Sequence, residues 1–196
     1  MKIIALTLAM LFNFFFQATL PSETSNQIIQ TSKDEKNIDL ANQIKTNVNS
    51  LENFLVDIGY KEVNIALRES DDYFKRDIAL PTQLPPVNFT HNFGRFNHSF
   101  GKENDQFEIT YLNENVGQNH YQIRVKPVQY KLEISDEKID QTIKLNDGNS
   151  AIYSTKLPLD VLVFEKGEWQ YTLLVDKRIS NTVTKEVLVD IANSIR

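Results

Sequence analysis

The 196-residue chain contains no cysteine, which excludes disulfide bonds, zinc sites with thiolate ligands and a thiol nucleophile. Its three histidines, His91, His98 and His120, show no spacing with other potential ligands that would indicate a metal site. Glycine-rich phosphate loops, GxSxG elbows and HExxH motifs are missing as well. From these absences we predict a non-enzymatic protein that uses neither a metal nor a cofactor.

Lysine and arginine are spread along the chain without forming a run or a stripe. The 21 basic residues are outnumbered by 26 acidic residues, which gives a formal net charge of −5 at pH 7. Proteins that bind nucleic acid or anionic lipid concentrate positive charge on one surface. We therefore expect no nucleic-acid partner.

The longest apolar run lies at the N terminus. Lys2 is followed by mostly apolar residues up to Phe16, and Ala18 suits a cleavage site, so 1–18 is predicted to be a signal peptide. The run is shorter than the ~20 apolar residues that a spanning helix needs. Because Phe16 is large for its place before the cleavage site, an uncleaved membrane anchor remains an alternative. The polar stretch 19–36 predicts a flexible leader.

Two segments before the first prolines have helical character. Apolar residues between Ile38 and Ile58 recur every three or four positions, which is typical of an amphipathic helix, and Gly59 is a suitable stop. We favour a helix that faces a core, although the spacing also fits a coiled-coil seam. The stretch Tyr60–Asp77 fits a helix or a short strand, and we favour a helix over Ser70–Arg76.

Alternating apolar and polar residues predict strands after a proline-rich joint at Leu80–Pro86. The aromatic stretch around Gly94 favours two extended segments, although its phenylalanines also fit helical spacing. The predicted strands are Val87–Phe93, Phe96–Phe100, Phe107–Tyr111, Tyr121–Val125, Val128–Ile134, Ile139–Leu145, Ala151–Thr155, Val161–Phe164 and Trp169–Val175. A turn at Glu165–Glu168 joins the last two, and the closing helix is predicted over Thr184–Ile195 with Thr184 as its cap.

These elements predict an α+β fold. We expect one domain, 37–196, that is helical over 37–77 and rich in strands over 80–196. Consecutive alternating strands with short connections indicate an antiparallel sheet with one apolar face and one wet face. The N-terminal and C-terminal helices are predicted to pack together on the apolar face.

Aromatic residues are more numerous in the strand-rich part than one small core requires. They favour a groove for an apolar or peptide ligand, whereas a phenylalanine-rich core with an interface is the alternative. The predicted ligand-binding residues are Phe93, Phe96, Phe100, Trp169 and Tyr171.

An extracellular hydrolase is the alternative function. Catalytic acids can come from different strands, and Asp105, Glu108, Glu133 and Asp147 are available for such a pair. His91 and His98 would approach each other if each lay on its own strand of a hairpin. Acids on a sheet more commonly occupy the wet face, so we favour a non-enzymatic function.

A diffuse pattern runs through the segment Leu80–Arg196. It begins with Leu80-Pro81-x-x-Leu84-Pro85 and an amphipathic sheet, and it continues with Asp147-Gly148-x-x-Ala151-x-Tyr153. The hairpin Phe164–Tyr171 and the ending Ile191-Ala192-Asn193-Ser194-Ile195 complete it. The segment thereby resembles a family of bacterial domains of unknown function, found in exported proteins of low-GC Gram-positive bacteria and on the outer side of some anti-sigma factors and lipoproteins.

The resemblance implies an extracytoplasmic α+β domain without known catalysis, and it transfers no functional residue. The chain departs from the sensor-type members because it lacks a cytoplasmic domain and a clear spanning helix. Together with the residues themselves, it predicts a secreted or cell-surface binding domain. The expected partner is a peptide, a cell-wall fragment or another protein, with membrane attachment only if the signal segment stays uncleaved; a tethered structural protein is a further alternative.

Overall fold

A computed structural model describes residues 52–98 and 101–196. The predicted signal peptide, the leader, most of the helix Ile38–Ile58 and Phe100 lie outside these residues. All packing discussed below lies within one compact unit, Phe54–Arg196. None of its helices in the described ranges is both long and apolar enough to cross a bilayer.

The described residues form seven strands, β1 His91–Asn97, β2 Gln106–Leu112, β3 His120–Pro127, β4 Gln141–Lys144, β5 Ser150–Ser154, β6 Asp160–Lys166 and β7 Trp169–Val175. They make one antiparallel sheet in the order β1-β2-β3-β7-β6-β5-β4. Helix α1 spans Val63–Phe74 and helix α2 spans Lys185–Asn193, and residues 52–57 are helical as well. The predicted α+β class, with an antiparallel sheet and terminal helices, is confirmed.

The strand register explains the main core. Ile109, Ile123 and Leu173 lie directly opposite one another across β2, β3 and β7, and each is fully buried. A second row places Phe107 against Val125 in the same way. Each such side chain contributes about 1.5–3 kcal/mol to folding when it leaves water. We call this side of the sheet the core face.

Helices α1 and α2 both contribute to the cluster of buried side chains on the core face. Ala66 of α1 and Leu188 of α2 are fully buried there. Helix α1 approaches β1 so closely that a Cβ atom on Gly94 would lie 2.8 Å from the Cα atom of Val63. Thr184 caps α2 by accepting a hydrogen bond from the backbone N–H of Val187, as predicted.

The proline-rich joint lies along the same core. The hydroxyl of Tyr171 donates to the carbonyl of Ala79 at 2.9 Å. The hydroxyl oxygen of Ser194, at the end of α2, accepts hydrogen bonds from the backbone N–H groups of Thr82 and Gln83, at 3.1 and 3.2 Å. These contacts pair backbone groups in and beside a proline-rich segment that joins no strand.

The opposite side of the sheet, which we call the second face, is also covered, so the expectation of one wet face is wrong. Val161, Val163 and Leu174 are buried there and pack against Ile134 in the long connection between β3 and β4. The predicted strand Val128–Ile134 is not formed; it begins with a 3₁₀ turn at Val128–Tyr130. The connection crosses the sheet instead of extending it.

A side chain fixes that crossing. The amide of Gln170 accepts from the backbone N–H of Leu132 at 2.6 Å and donates to the carbonyl of the same residue at 3.0 Å. Gln170 is 3 % exposed, so an unpaired amide would be costly at this position. The clamp supplies the backbone partners that a neighbouring strand would have given.

The two extended segments predicted around Gly94 form one strand instead. Gly94 lies in the middle of β1, where it pairs with Ile109, and its outer edge bonds with Lys61. His91 begins this strand and His98 follows its last residue, so the two histidines do not face each other across a hairpin. The glycine at this position allows α1 to pack closely against β1 and does not form a turn.

The end of the predicted first helix is where the sequence placed it. Gly59 has a φ of +93° and donates to the carbonyl of Val56, while Tyr60 donates to the carbonyl of Leu55. This paired pattern is the Schellman ending, which favours glycine because of the positive φ. The side chain of Tyr60 then reaches the second face of the sheet, opposite the face that α2 covers.

Candidate functional site: an aromatic platform beside strand β1

Three aromatic rings meet at the edge of the sheet where α1 ends. The ring of Tyr73 lies 5.0 Å from that of Phe96 and 5.8 Å from that of His98, with which it is stacked. Phe96 and His98 lie 5.1 Å apart. Tyr73 is 46 % exposed, Phe96 is half-buried and His98 is exposed. We call these three residues the aromatic platform.

A partly buried and a buried aromatic residue support the platform. Phe74, the last residue of α1, packs edge-on against Phe96 at 5.4 Å and against Trp169 at 5.1 Å. Trp169 is 6 % exposed and donates its indole N–H to the carbonyl of Asp77 at 3.0 Å. Helix α1, β1 and β7 therefore hold the rings in place before any ligand arrives.

A buried carboxylate lies beside the platform. Asp105 is 2 % exposed, and its Oδ2 atom accepts a hydrogen bond from the hydroxyl of Tyr73 at 2.7 Å. This hydrogen bond, assisted by partial burial, raises the pKa of Tyr73. The other oxygen, Oδ1, is buried without a hydrogen-bond partner among the described residues.

The five predicted ligand-binding residues fall into separate places. Phe96 and Trp169 are joined through Phe74, whereas Tyr171 is buried and stacks on Phe164 at 5.3 Å. Phe93 stacks on the ring of His91 and lies opposite Thr110, on the second face. Phe100 lies outside the described residues. The structure thus does not gather the described four into one groove, and ligand binding by any of them stays a prediction.

Tyr73 is the site residue that the sequence did not indicate, and Asp105 was considered only as a catalytic acid. Tyr73 and Phe74 are adjacent aromatics at the end of a helical pattern, which is a weak signal of a surface site. Nothing in their spacing connects them with Phe96, which follows Phe74 by 22 residues (96 − 74). Proximity here depends on how α1 packs across β1.

A second group of polar side chains lies buried on the second face. Glu108 is 1 % exposed and pairs with Arg95 at 2.7 Å and with Arg124 at 3.5 Å. The hydroxyl of Tyr60 donates to the same carboxylate, and the guanidinium of Arg95 lies 4.6 Å from the centre of the Tyr60 ring. Burial, followed by the negative charge of Glu108, raises the pKa of Tyr60 well above its usual range.

This network extends along neighbouring strands. Gln122 donates to the hydroxyl of Thr110 at 2.9 Å and accepts from Arg124 at 3.0 Å. Glu108 is therefore hydrogen-bonded and ion-paired with its neighbours, which favours a structural role for this acid. The arrangement attaches the chain around Tyr60 to the sheet.

The remaining candidate acids lie in other parts of the fold. The side chain of Glu133 is 81 % exposed in the connection between β3 and β4. Asp147 lies in the turn between β4 and β5 and pairs with Lys166 at 3.5 Å. Histidine and acidic side chains of the described residues form no group of three that could hold a metal ion.

Two shallow depressions accompany the fold. One of about 430 Å³ is lined by polar residues from the proline-rich joint and the end of α2, including Gln83, Asp190 and Asn193. The other, of about 300 Å³, lies between Leu84 and Tyr111. Neither contains a member of the aromatic platform.

Comparison with protein-family models, with curated proteins and with solved structures found no match. The resemblance noted in the sequence therefore remains a prediction. The functional argument rests on the side chains of this chain alone.

Proposed function

We propose that the protein is an exported, non-enzymatic binding domain that acts at the cell surface. Its binding surface is the aromatic platform of Tyr73, Phe96 and His98. The expected partner is a peptide, a cell-wall fragment or another protein. The observation that carries this proposal is a set of aromatic rings at the surface that contact the more deeply placed rings of Phe74 and Trp169 and are held in fixed positions.

Preorganised aromatic side chains are effective binding groups. They supply a large contact area and lose little conformational freedom when a ligand arrives. In the platform, Phe96 is fixed by contact with Phe74, and Tyr73 is fixed by its hydrogen bond to Asp105. These rings therefore lose their conformational freedom when the protein folds, and ligand binding does not have to order them.

The chemistry of the acidic side chains supports binding rather than catalysis. Asp105 accepts from Tyr73, Glu108 is paired with two arginines, and Asp147 pairs with Lys166. A general acid or base needs a carboxyl group within reach of a substrate. The extracellular hydrolase is accordingly the weaker alternative.

Export is supported by the apolar run that follows Lys2 and by the resemblance to a family of exported domains. Mass spectrometry of the protein recovered outside the cell tests this part of the proposal. A mature chain beginning at Thr19 is the expected result. Recovery only from the cytoplasmic fraction would refute export, and a membrane-bound chain that retains Met1 would favour the tethered alternative.

Calorimetric titration with defined peptides and wall fragments tests the binding surface. Tyr73→Ala should weaken binding by about 1–1.5 kcal/mol, or roughly five- to tenfold in Kd, because one ring contact is lost. Phe54→Ala is the matched control, since Phe54 is an aromatic residue of similar exposure, 38 %, outside the platform. Equal affinities for the two variants would contradict the assignment of the surface.

A further inference from the structure

We infer that the aromatic platform selects a cationic side chain, such as the lysine ammonium group of a peptide partner. This inference rests on the proposed function, because it assigns the ligand chemistry of the same surface. The faces of aromatic rings carry partial negative charge and attract cations that lie over them. Tyr73 offers an exposed ring, and the half-buried ring of Phe96 lies 5.0 Å from it.

A negative charge beside the rings distinguishes this surface from a merely apolar one. Asp105 is bonded to the Tyr73 hydroxyl through one oxygen, while its other oxygen has no hydrogen-bond partner among the described residues. A phenol that donates to a carboxylate has a more electron-rich ring, which strengthens its attraction for cations. An apolar ligand would gain nothing from either feature.

The side chain of Lys126 would compete with a ligand for the negative charge of Asp105. The ammonium group of Lys126 is close enough to Asp105 to interact with it electrostatically, but it donates its hydrogen bond to the carbonyl of Glu103, at 2.8 Å. Burial lowers the pKa of Lys126, although the carboxylates of Glu103 and Asp105 oppose this effect. Lys126 thus acts on Asp105 through its charge and leaves Oδ1 without a hydrogen bond among the described residues.

Nuclear magnetic resonance titration with two small probes tests the selection. N-acetyl-lysine N-methylamide carries the ammonium group, and N-acetyl-norleucine N-methylamide has the same aliphatic chain without it. The lysine probe should bind roughly two- to fivefold more tightly, as expected for an exposed cation–π contact. Its binding should shift the ring resonances of Tyr73 and His98.

Two variants test whether the charge of Asp105 causes the preference for the lysine probe. Asp105→Asn should abolish the preference for the lysine probe, and Lys126→Met should increase it, since the competing cation is gone. Circular dichroism checks that both variants remain folded. Lys126→Met keeps the inference testable even if the buried substitution at Asp105 prevents folding.

The outcomes separate this inference from the proposed function. Equal binding of the two probes, or no binding of either up to the solubility limit, would overturn cation selection. If Tyr73→Ala still weakens the binding of peptides or wall fragments, the platform remains the binding surface. If Tyr73→Ala changes neither, the proposed function fails as well.

Discussion

Replacing Tyr60 by phenylalanine tests how the chain that enters α1 is attached to the sheet. Tyr60 is 4 % exposed, and its hydroxyl donates to Glu108, which is itself 1 % exposed. A hydrogen bond to a charged group contributes about 1.5–3 kcal/mol to stability. Glu108 keeps its ion pair with Arg95 in the variant, so we expect a loss near the middle of that range.

Urea unfolding, followed by circular dichroism, measures this loss. At a denaturant slope of about 2 kcal/mol per molar, the midpoint for Tyr60→Phe should fall by roughly 1 M. Tyr130→Phe is the control, because it removes the same hydroxyl from a half-buried residue outside this network. A Tyr60→Phe midpoint within about 0.2 M of the wild type would refute the proposed attachment.

The same variant makes a prediction for alkaline pH. Because the pKa of Tyr60 is raised in the folded protein, its contribution is complete below the unfolded pKa of about 10. That contribution is lost as the pH rises above this value, by up to about 1.4 kcal/mol per pH unit. Tyr60→Phe should therefore lose stability less steeply in alkali than the wild type, and parallel losses would contradict the assignment.

Three further predictions concern the fold. Gly94→Ala should destabilise the protein by about 1–3 kcal/mol because the added methyl group meets α1, whereas Gly117→Ala, with open space around it, should have little effect in the same urea assay. Ser194→Ala should accelerate hydrogen exchange at the amide of Thr82, and an unchanged rate would contradict the attachment of the proline-rich joint. Burial lowers the pKa of His120 in the folded protein, so its contribution to stability is present above about pH 6.5 and is lost on acidification. The free energy of unfolding of His120→Gln should therefore depend less on pH below about 6.5 than that of the wild type, and an equal dependence would refute this.

Local patterns were sufficient for much of the sheet and for the closing helix. Strands β2, β3 and β7 alternate because their odd-numbered side chains fill one core, whereas β6 is a continuous apolar run that is buried on both faces. The glycine after Ile58 and the threonine before Lys185 ended and began helices as expected. In each case the sequence pattern that predicts the element lies within a few residues of chain.

Interactions between distant residues explain the failures. The Val128–Ile134 stretch alternates like a strand, but Gln170 clamps the backbone of Leu132 on the second face. Glu108 looked like an acid of the wet face, yet Tyr60 and Arg95 enclose it. The residue pattern of one segment does not indicate which other segment of the chain will cover it.

The candidate site shows the same limit. Phe96 and Trp169 were selected because aromatic residues are abundant in the strands, and the structure connects them through Phe74. Tyr73 and Asp105 could not be added from the sequence, because α1 and the start of β2 are brought together only by packing. Aromatic composition thus indicated one member of the platform, Phe96, but neither Tyr73 nor His98.

Chemical-shift mapping of a bound peptide or wall fragment tests the central claim most directly. The account predicts that the largest changes fall on Tyr73, Phe96 and His98, and that Tyr73→Ala removes them while Phe54→Ala does not. Changes centred on the polar depression around Gln83 and Asn193, unaltered by Tyr73→Ala, would contradict the claim that the aromatic platform is the binding surface.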